Sequence, residues 1–452
     1  MNATRSGIAE DLTSAIAWRN PAALEQVFAR LRRDSPIVWV DQEPYRPFWA
    51  ITRHADIVAI ERQHTLFTNG PRLTLVPKPV EAQAANGMAG GLRETLRVLA
   101  VLARLSRRPW GDTVEGLQAI RAARNTGARQ RVRTLIDMDE PEHRKFRELT
   151  QSWFMGKGVS RLEAHVGAMV ERYVGRMREH GTAPFDFAQE VALQYPLSVI
   201  LSVLGLPEAD APFLLRATQQ LLSSADPDLE GGSNHGISTV TELFEYFAGA
   251  VRERRKRPTD DLTSLIANAQ IDGTPLGPIE TLSYLLIAAT AGHETTAASV
   301  AGGFLAFAQN PDQHRLLVDQ PDLLRPAADE IVRWVTPVRH FCRTATADTL
   351  VGGQHIAAGE SVVLFFGSGN RDEQAFDAPD CFRIDRKPNL HLAFGHGVHH
   401  CLGRMLALSE IRAFFGAALP QLRAIELAGE PLPIASNFTG GYKRLPVHCH
   451  WK

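Results

Sequence analysis

Cysteine is scarce in this 452-residue chain: Cys342, Cys381, Cys401 and Cys449 are the only four, and no CxxC spacing joins them. A disulfide scaffold needs a denser, paired set, so the count argues for a reducing cytoplasm. Long apolar runs are also missing. No stretch reaches the roughly 18 to 20 uncharged apolar residues of a membrane span. The segment Met1 to Ala17 is broken by Arg5, Glu10 and Asp11 and lacks the apolar core of a signal peptide. Neither sign of charge is in excess. The formal net charge of -1 gives no global attraction for nucleic acid or anionic lipid.

What remains is an ordinary globular composition, 44% hydrophobic and 22% charged. Asn20-Pro21 opens a helix with Leu24, Phe28 and Leu31 on one face, because Asn caps and Pro suits a first helical position. Strand-like runs follow at Ile37 to Asp41 and Phe48 to Thr52. From Glu142 to about Gln320 the pattern is nearly all helical, and the last third mixes short strands (Leu350 to Ile356, Ser361 to Phe366) with a helix from about Cys401 to Leu422. No repeat or linker divides the chain. The expected fold is mostly α with a small β portion, one unit over 1–452, with a loose N-terminus over 1–19. Residues 70–133 form an extended, locally basic region. There Leu92, Leu96, Leu99, Leu102 and Leu105 recur at helical spacing among arginines, which suits a solvated helix, a lid or a membrane-surface contact.

Four segments carry chemistry. Phe394-Gly395-His396-Gly397-Val398-His399-His400-Cys401-Leu402-Gly403 leads glycines and histidines into a cysteine at a helix start, where N–H donors and the helix dipole favour a thiolate. Gly397 and Gly403 would let backbone approach a flat ligand. The same histidines with Cys401, joined by His448-Cys449-His450, would alternatively suit zinc. Ala291-Gly292-His293-Glu294-Thr295-Thr296 places an acid and hydroxyls inside an apolar helical run. That suits either a kinked core helix or a proton relay beside a bound ligand. Glu330 and Arg333 share a helix face, with Arg386 a candidate third partner if the pair is buried. His143 and Arg147, at i and i+4, present two donors to a carboxylate or to solvent.

Together and in this order, these segments resemble the cytochrome P450 superfamily from about residue 20 to the C-terminus, and look most similar to its bacterial terpineol-hydroxylating branch. The resemblance implies haem b (iron protoporphyrin IX) with Cys401 as axial ligand to the iron, and O2 as co-substrate. It places Ala291, Phe394 and Gly403 at the haem, and His143, Arg147, Arg343 and His399 on its propionates. Glu294 and Thr295 would assist proton delivery, and Glu330, Arg333 and Arg386 would form a structural triad. Ile287, Ala288, Ala291, Val338, His340 and Phe438 would line a pocket for a hydrophobic small molecule, terpenoid, alkyl-aromatic or steroid-like. His340 could offer that molecule one hydrogen bond or equally serve a structural role. Electrons would come from a ferredoxin and its reductase, docking near Arg144, Lys145 and Arg404, and the protein would be a cytoplasmic monomer. A peroxide-driven peroxygenase and a non-catalytic haem protein are the competing readings. Two departures stand out: Ala357 replaces a usual proline before Ala358-Gly359-Glu360, and region 70–133 is longer than in most bacterial relatives.

Overall fold

Helices dominate the computed structural model, which describes residues 2–85, 100–101, 133–222, 226–228 and 236–452. The first are α1 (Asn2–Thr13), α2 (Pro21–Asp34), α3 (His54–Arg62) and α4 (Lys78–Ala85). The helical middle comprises α5 (Glu142–Gln151), α6 (Glu163–Glu179), α7 (Gln194–Val203), α8 (Ala211–Leu222), α9 (Gly236–Lys256), α10 (Leu262–Ala267) and α11 (Pro278–Gln309). Then come α12 (Pro311–Asp319), α13 (Leu324–Val335) and α14 (Arg404–Ala418). Five strands form a mixed sheet: β1 (Ile37–Val40), β2 (Phe48–Ile51), β3 (Phe67–Thr68), β4 (His340–Ala345) and β5 (Ser361–Phe365), in the order β1-β2-β5-β4-β3. The β2–β5 pair is parallel and its neighbours antiparallel. A second sheet pairs β6 (Leu422–Leu427) with β7 (Pro446–Trp451). The expected class, mostly α with a small β portion, is the observed one.

The 32 residues of α11 run from Pro278, just after Gly277, to the Asn310-Pro311 break. Most of this helix is buried in the main core, where α7, α13 and α14 pack around it. A helix apolar on nearly every face has to be enclosed in this way. Among the described residues no helix is long and apolar enough to cross a membrane.

Two boundary expectations are corrected or left aside. Of the stretch 1–19 expected to be loose, the described part forms α1 and the turn Ala17–Arg19, which cover one face of the large sheet. Leu12 and Trp18 are buried there, Trp18 lying 5.9 Å from the ring of Phe28 and 6.2 Å from that of Phe365. The charged residues Arg5, Glu10 and Asp11 that interrupt this stretch say nothing about the sheet face its apolar residues cover. In region 70–133, α4 is present, while the basic stretch with Leu92 to Leu105 falls largely outside the described residues.

The turn between α8 and α9 is tied down at Asp226, whose buried carboxylate accepts from Arg19 (3.0 Å), Lys443 (2.9 Å), and the N–H groups of Asp228 (3.0 Å) and Ala435 (2.7 Å). This cluster fixes the C-terminal loop that carries Phe438. Such full pairing is what makes a buried carboxylate tolerable.

Candidate active site

The cysteine loop is closed by its own backbone. Cys401 N–H donates to Phe394 O at 2.9 Å, and Gly395 N–H to Leu392 O at 2.9 Å. Gly397 has a φ of +68°, and a Cβ there would stand 2.4 Å from the carbonyl oxygen of Glu61 on α3. Its glycine is therefore demanded by α3, not by a flat ligand as the sequence suggested. Gly403 does front open space, with nothing within 4 Å of a built Cβ. Cys401 precedes α14 by three residues, with its sulfur near the N–H groups of Gly403 and Arg404. Burial raises the thiol pKa; those N–H groups and the Arg147 guanidinium pull it back. Although enclosed by protein, the side chain keeps an open face, so it borders an interior space rather than the outer surface.

A second open surface lies within α11. In the mostly buried middle of this helix, Ile287, Ala288, Ala291 and Thr295 remain half-buried or exposed, and 287, 291 and 295 form one i, i+4, i+8 stripe. The Thr295 hydroxyl donates to Ala291 O at 3.1 Å. Gly292 leaves no room for a ligand: a Cβ there would meet Ile200 of α7 at 2.8 Å. The ligand-facing room comes from Ala291 instead. Glu294 is buried and borders a small cavity shared with Ala188, Ala298, Ile434, Gly441 and Tyr442.

Charge gathers at a third place. His143 and Arg147 on α5, Arg343 on β4 and His399 in the cysteine loop interact with one another. The rings of His143 and His399 lie 4.2 Å apart. Burial, then the Arg343 charge, pushes His399 down to about 2, and burial also lowers His143, so both imidazoles are neutral. The Asn69 side chain reaches within 3.1 Å of the His399 ring. Arg147 makes no ion pair among the described residues. Tyr284 of α11 fixes α5 here, donating to Phe146 O at 3.0 Å and sharing a 2.6 Å hydrogen bond with Thr150. Two guanidiniums and two neutral imidazoles beside an open cysteine fit a flat group with carboxylates at one edge, as haem is.

Of the expected pocket residues, Val338 and Phe438 are half-buried, and the Phe438 ring stands 5.7 Å from that of Phe341. His340 is fully buried and offers a substrate nothing. Its Nε2 accepts from Leu75 N–H at 2.9 Å, so Nδ1 carries the proton and donates to Asn437 O at 2.9 Å. It is a staple between two loops. Burial holds it neutral, with a pKa lowered to about 3, and holds His293 at about 4. Between these values and the ordinary 6.5, the unfolded chain binds protons that the folded chain refuses. Stability should therefore fall below pH 6.5, by about 1.4 kcal/mol per pH unit for each histidine. Urea midpoints of the purified protein should drop between pH 7 and pH 5, and His340→Asn should show a shallower drop. An equal slope in the variant would remove His340 from this account.

Glu330, Arg333 and Arg386 meet in the core: Glu330 accepts from Arg333 Nε at 2.7 Å and from Arg386 Nε at 3.0 Å. The zinc reading finds no support. His396 Nε2 accepts from Arg62 at 3.1 Å and His448 Nδ1 donates to Thr182 O at 3.1 Å, and no metal-holding group of three or more His, Cys, Asp or Glu occurs among the described residues. The three basic residues expected at a docking face are each paired: Arg144 with Glu140 (3.3 Å), Lys145 with Asp272 (2.5 Å) and Arg404 with Asp329 (3.6 Å).

Residues 221–439 match the family model described as Cytochrome P450. Cytochrome P450-terp of a Pseudomonas species is 34% identical over 93% of this chain and 92% of its own. CYP108D1 of Novosphingobium aromaticivorans superposes with a TM-score of 0.83 at 33% identity, covering 99% of each chain. Mycobacterium marinum CYP268A2, solved in complex with pseudoionone, gives 0.81 at 31% identity, covering 97% of this chain and 98% of its own.

Proposed function

The chain belongs to the cytochrome P450 family, and we propose that it hydroxylates a hydrophobic small molecule, terpenoid, alkyl-aromatic or steroid-like, with electrons from a ferredoxin and its reductase. As a haem b monooxygenase it uses O2: R–H, O2, two electrons and two protons give R–OH and water. The observation that carries the substrate class is the open stripe of α11. Ile287, Ala288 and Ala291 are apolar, and with His340 engaged elsewhere, Thr295 is the hydrogen-bonding side chain left on that stripe. A substrate there would be held by shape and apolar contact. The pseudoionone bound by the M. marinum relative supports a ligand of this kind.

Cys401 would hold the haem iron, with Arg147, Arg343, His143 and His399 at the propionates and Phe394 and Gly403 flanking the ring. Haem b, once bound, supplies the oxygen activation. The chain supplies orientation and protons. Because Thr295 gives its hydrogen to Ala291 O, its oxygen keeps lone pairs to accept from a water near the iron. Glu294, which borders the cavity reaching Tyr442, would exchange protons along the helix flank. A ferredoxin at Arg144, Lys145 and Arg404 would have to compete with their present carboxylate partners, which makes docking sensitive to salt. Cytoplasmic, monomeric operation completes the proposal.

Thr295→Ala should leave electron consumption nearly intact while product formed per electron pair falls on the order of 10²-fold. NADH consumption and product are measured together with a ferredoxin system. Unchanged coupling would remove Thr295 from the proton relay, absence of product in the parent would favour a non-catalytic haem protein, and faster turnover with H2O2 alone than with O2 and ferredoxin would favour a peroxygenase.

A further inference from the structure

Glu61, near the end of α3, belongs to none of the motifs in the sequence, yet it touches two parts of the site. Its carboxylate is buried and Oε1 accepts from Arg343 Nη2 at 2.9 Å. Arg343 is held further by donation from Nη1 to Cys342 O at 2.9 Å. Oε2 is buried without a hydrogen-bond partner among the described residues. Both carboxylate oxygens lie 3.8 Å from the position of a Cβ on Gly395, and the Glu61 carbonyl packs under Gly397. The side chain thus stands between the guanidinium assigned to a propionate and the turn that leads to Cys401.

This placement runs against the simplest design. A site that only attracted carboxylates would not set a third carboxylate against one of its two arginines. Removing that pair from water is costly, and its worth lies in fixed geometry as much as in energy. Burial dominates the electrostatics, raising Glu61 to about 7, while Arg343 and the His396 N–H favour its charged form.

We infer that Glu61 is a positioning residue for the haem edge: it locks Arg343 and the Gly395–Gly397 turn in one arrangement and offsets one of the two guanidinium charges there. The inference rests on the haem reading of the site. Glu61→Gln keeps the shape and an acceptor but removes the charge; Glu61→Ala removes both. The holoproteins are compared by reduced-CO spectrum, midpoint potential and rate of haem transfer to an apo-globin acceptor.

Above pH 7, where Glu61 carries its charge, removing that charge from the haem edge favours the reduced form. Glu61→Gln should raise the reduction equilibrium constant about tenfold, equivalent to about 59 mV for one electron. Glu61→Ala should also release haem about tenfold faster than the parent. A Glu61→Gln potential equal to the parent's overturns the charge role, and an Ala variant that releases haem no faster overturns the positioning role. Should the Ala variant not fold, the Gln potential alone decides. A parent without a thiolate-type CO band would instead remove the haem-thiolate reading, independently of Glu61.

Discussion

Replacing Cys401 by alanine abolishes the strongly red-shifted Soret band of the reduced, CO-bound protein and, with it, hydroxylation. The expectation follows from how little else at that position could ligate iron. Cys401 is the side chain that the Phe394–Gly403 loop presents to the interior space, held by its own N–H on Phe394 O and faced by the N–H groups of Gly403 and Arg404. Burial alone favours the neutral thiol there, so the thiolate depends on a cation opposite it. Iron held there would provide one, since a coordinated thiol gives up its proton, and the thiolate would supply the electron density that favours O–O cleavage. Cys342 and Cys449 are buried in other parts of the core, and burial raises both thiols to about 12. Cys449→Ser should accordingly leave the CO band intact. A red-shifted band surviving in Cys401→Ala would sink the ligand assignment.

The parts of the site legible in the sequence are those written in consecutive residues. The cysteine loop, the Ala291–Thr296 segment and the Glu330–Arg333 pair each carry their geometry locally, through a turn or a helical spacing of three or four. What escaped notice depends on contacts between distant segments. Glu61 and the loop it supports are more than 330 positions apart, and nothing in Ala59-Ile60-Glu61-Arg62 distinguishes it from a surface helix. Gly397 is singled out by the sequence but for the wrong neighbour, since packing against a helix and contact with a ligand demand glycine for the same steric reason. The sequence leaves a substrate contact and a structural role equally open for His340, because its two partners, Leu75 and Asn437, come from loops at opposite ends of the chain. The N-terminal helix was missed because amphipathic pairing with the sheet cannot be seen until the sheet exists.

Glu330→Ala should cost about 3 to 5 kcal/mol of stability, the range for stranding a buried charge. Glu330 has no solvent contact and accepts five hydrogen bonds: two from Arg333, at 2.7 and 2.8 Å, one from Arg386 at 3.0 Å, one from the Arg383 N–H at 2.9 Å and one from Asn389 at 3.2 Å. The remaining donors of both arginines are satisfied by carbonyls, including Asn370 O and Pro379 O for Arg333 and Ala378 O and Cys381 O for Arg386. Removing the one anion leaves two guanidiniums side by side in the core with only carbonyl dipoles to hold them. The damage should reach the site, because α13 leads into Val338 and β4, and the segment around Arg386 leads into the cysteine loop. Urea unfolding followed by tryptophan fluorescence should therefore give a lower midpoint, accompanied by poorer haem retention. Arg333→Lys should behave nearly as badly, since a single ammonium cannot reproduce a fork that engages Glu330, Asn370 and Pro379 together. An alanine variant with an unchanged midpoint would mean that the triad decorates the fold, and the coupling between core network and cysteine loop would have to be abandoned.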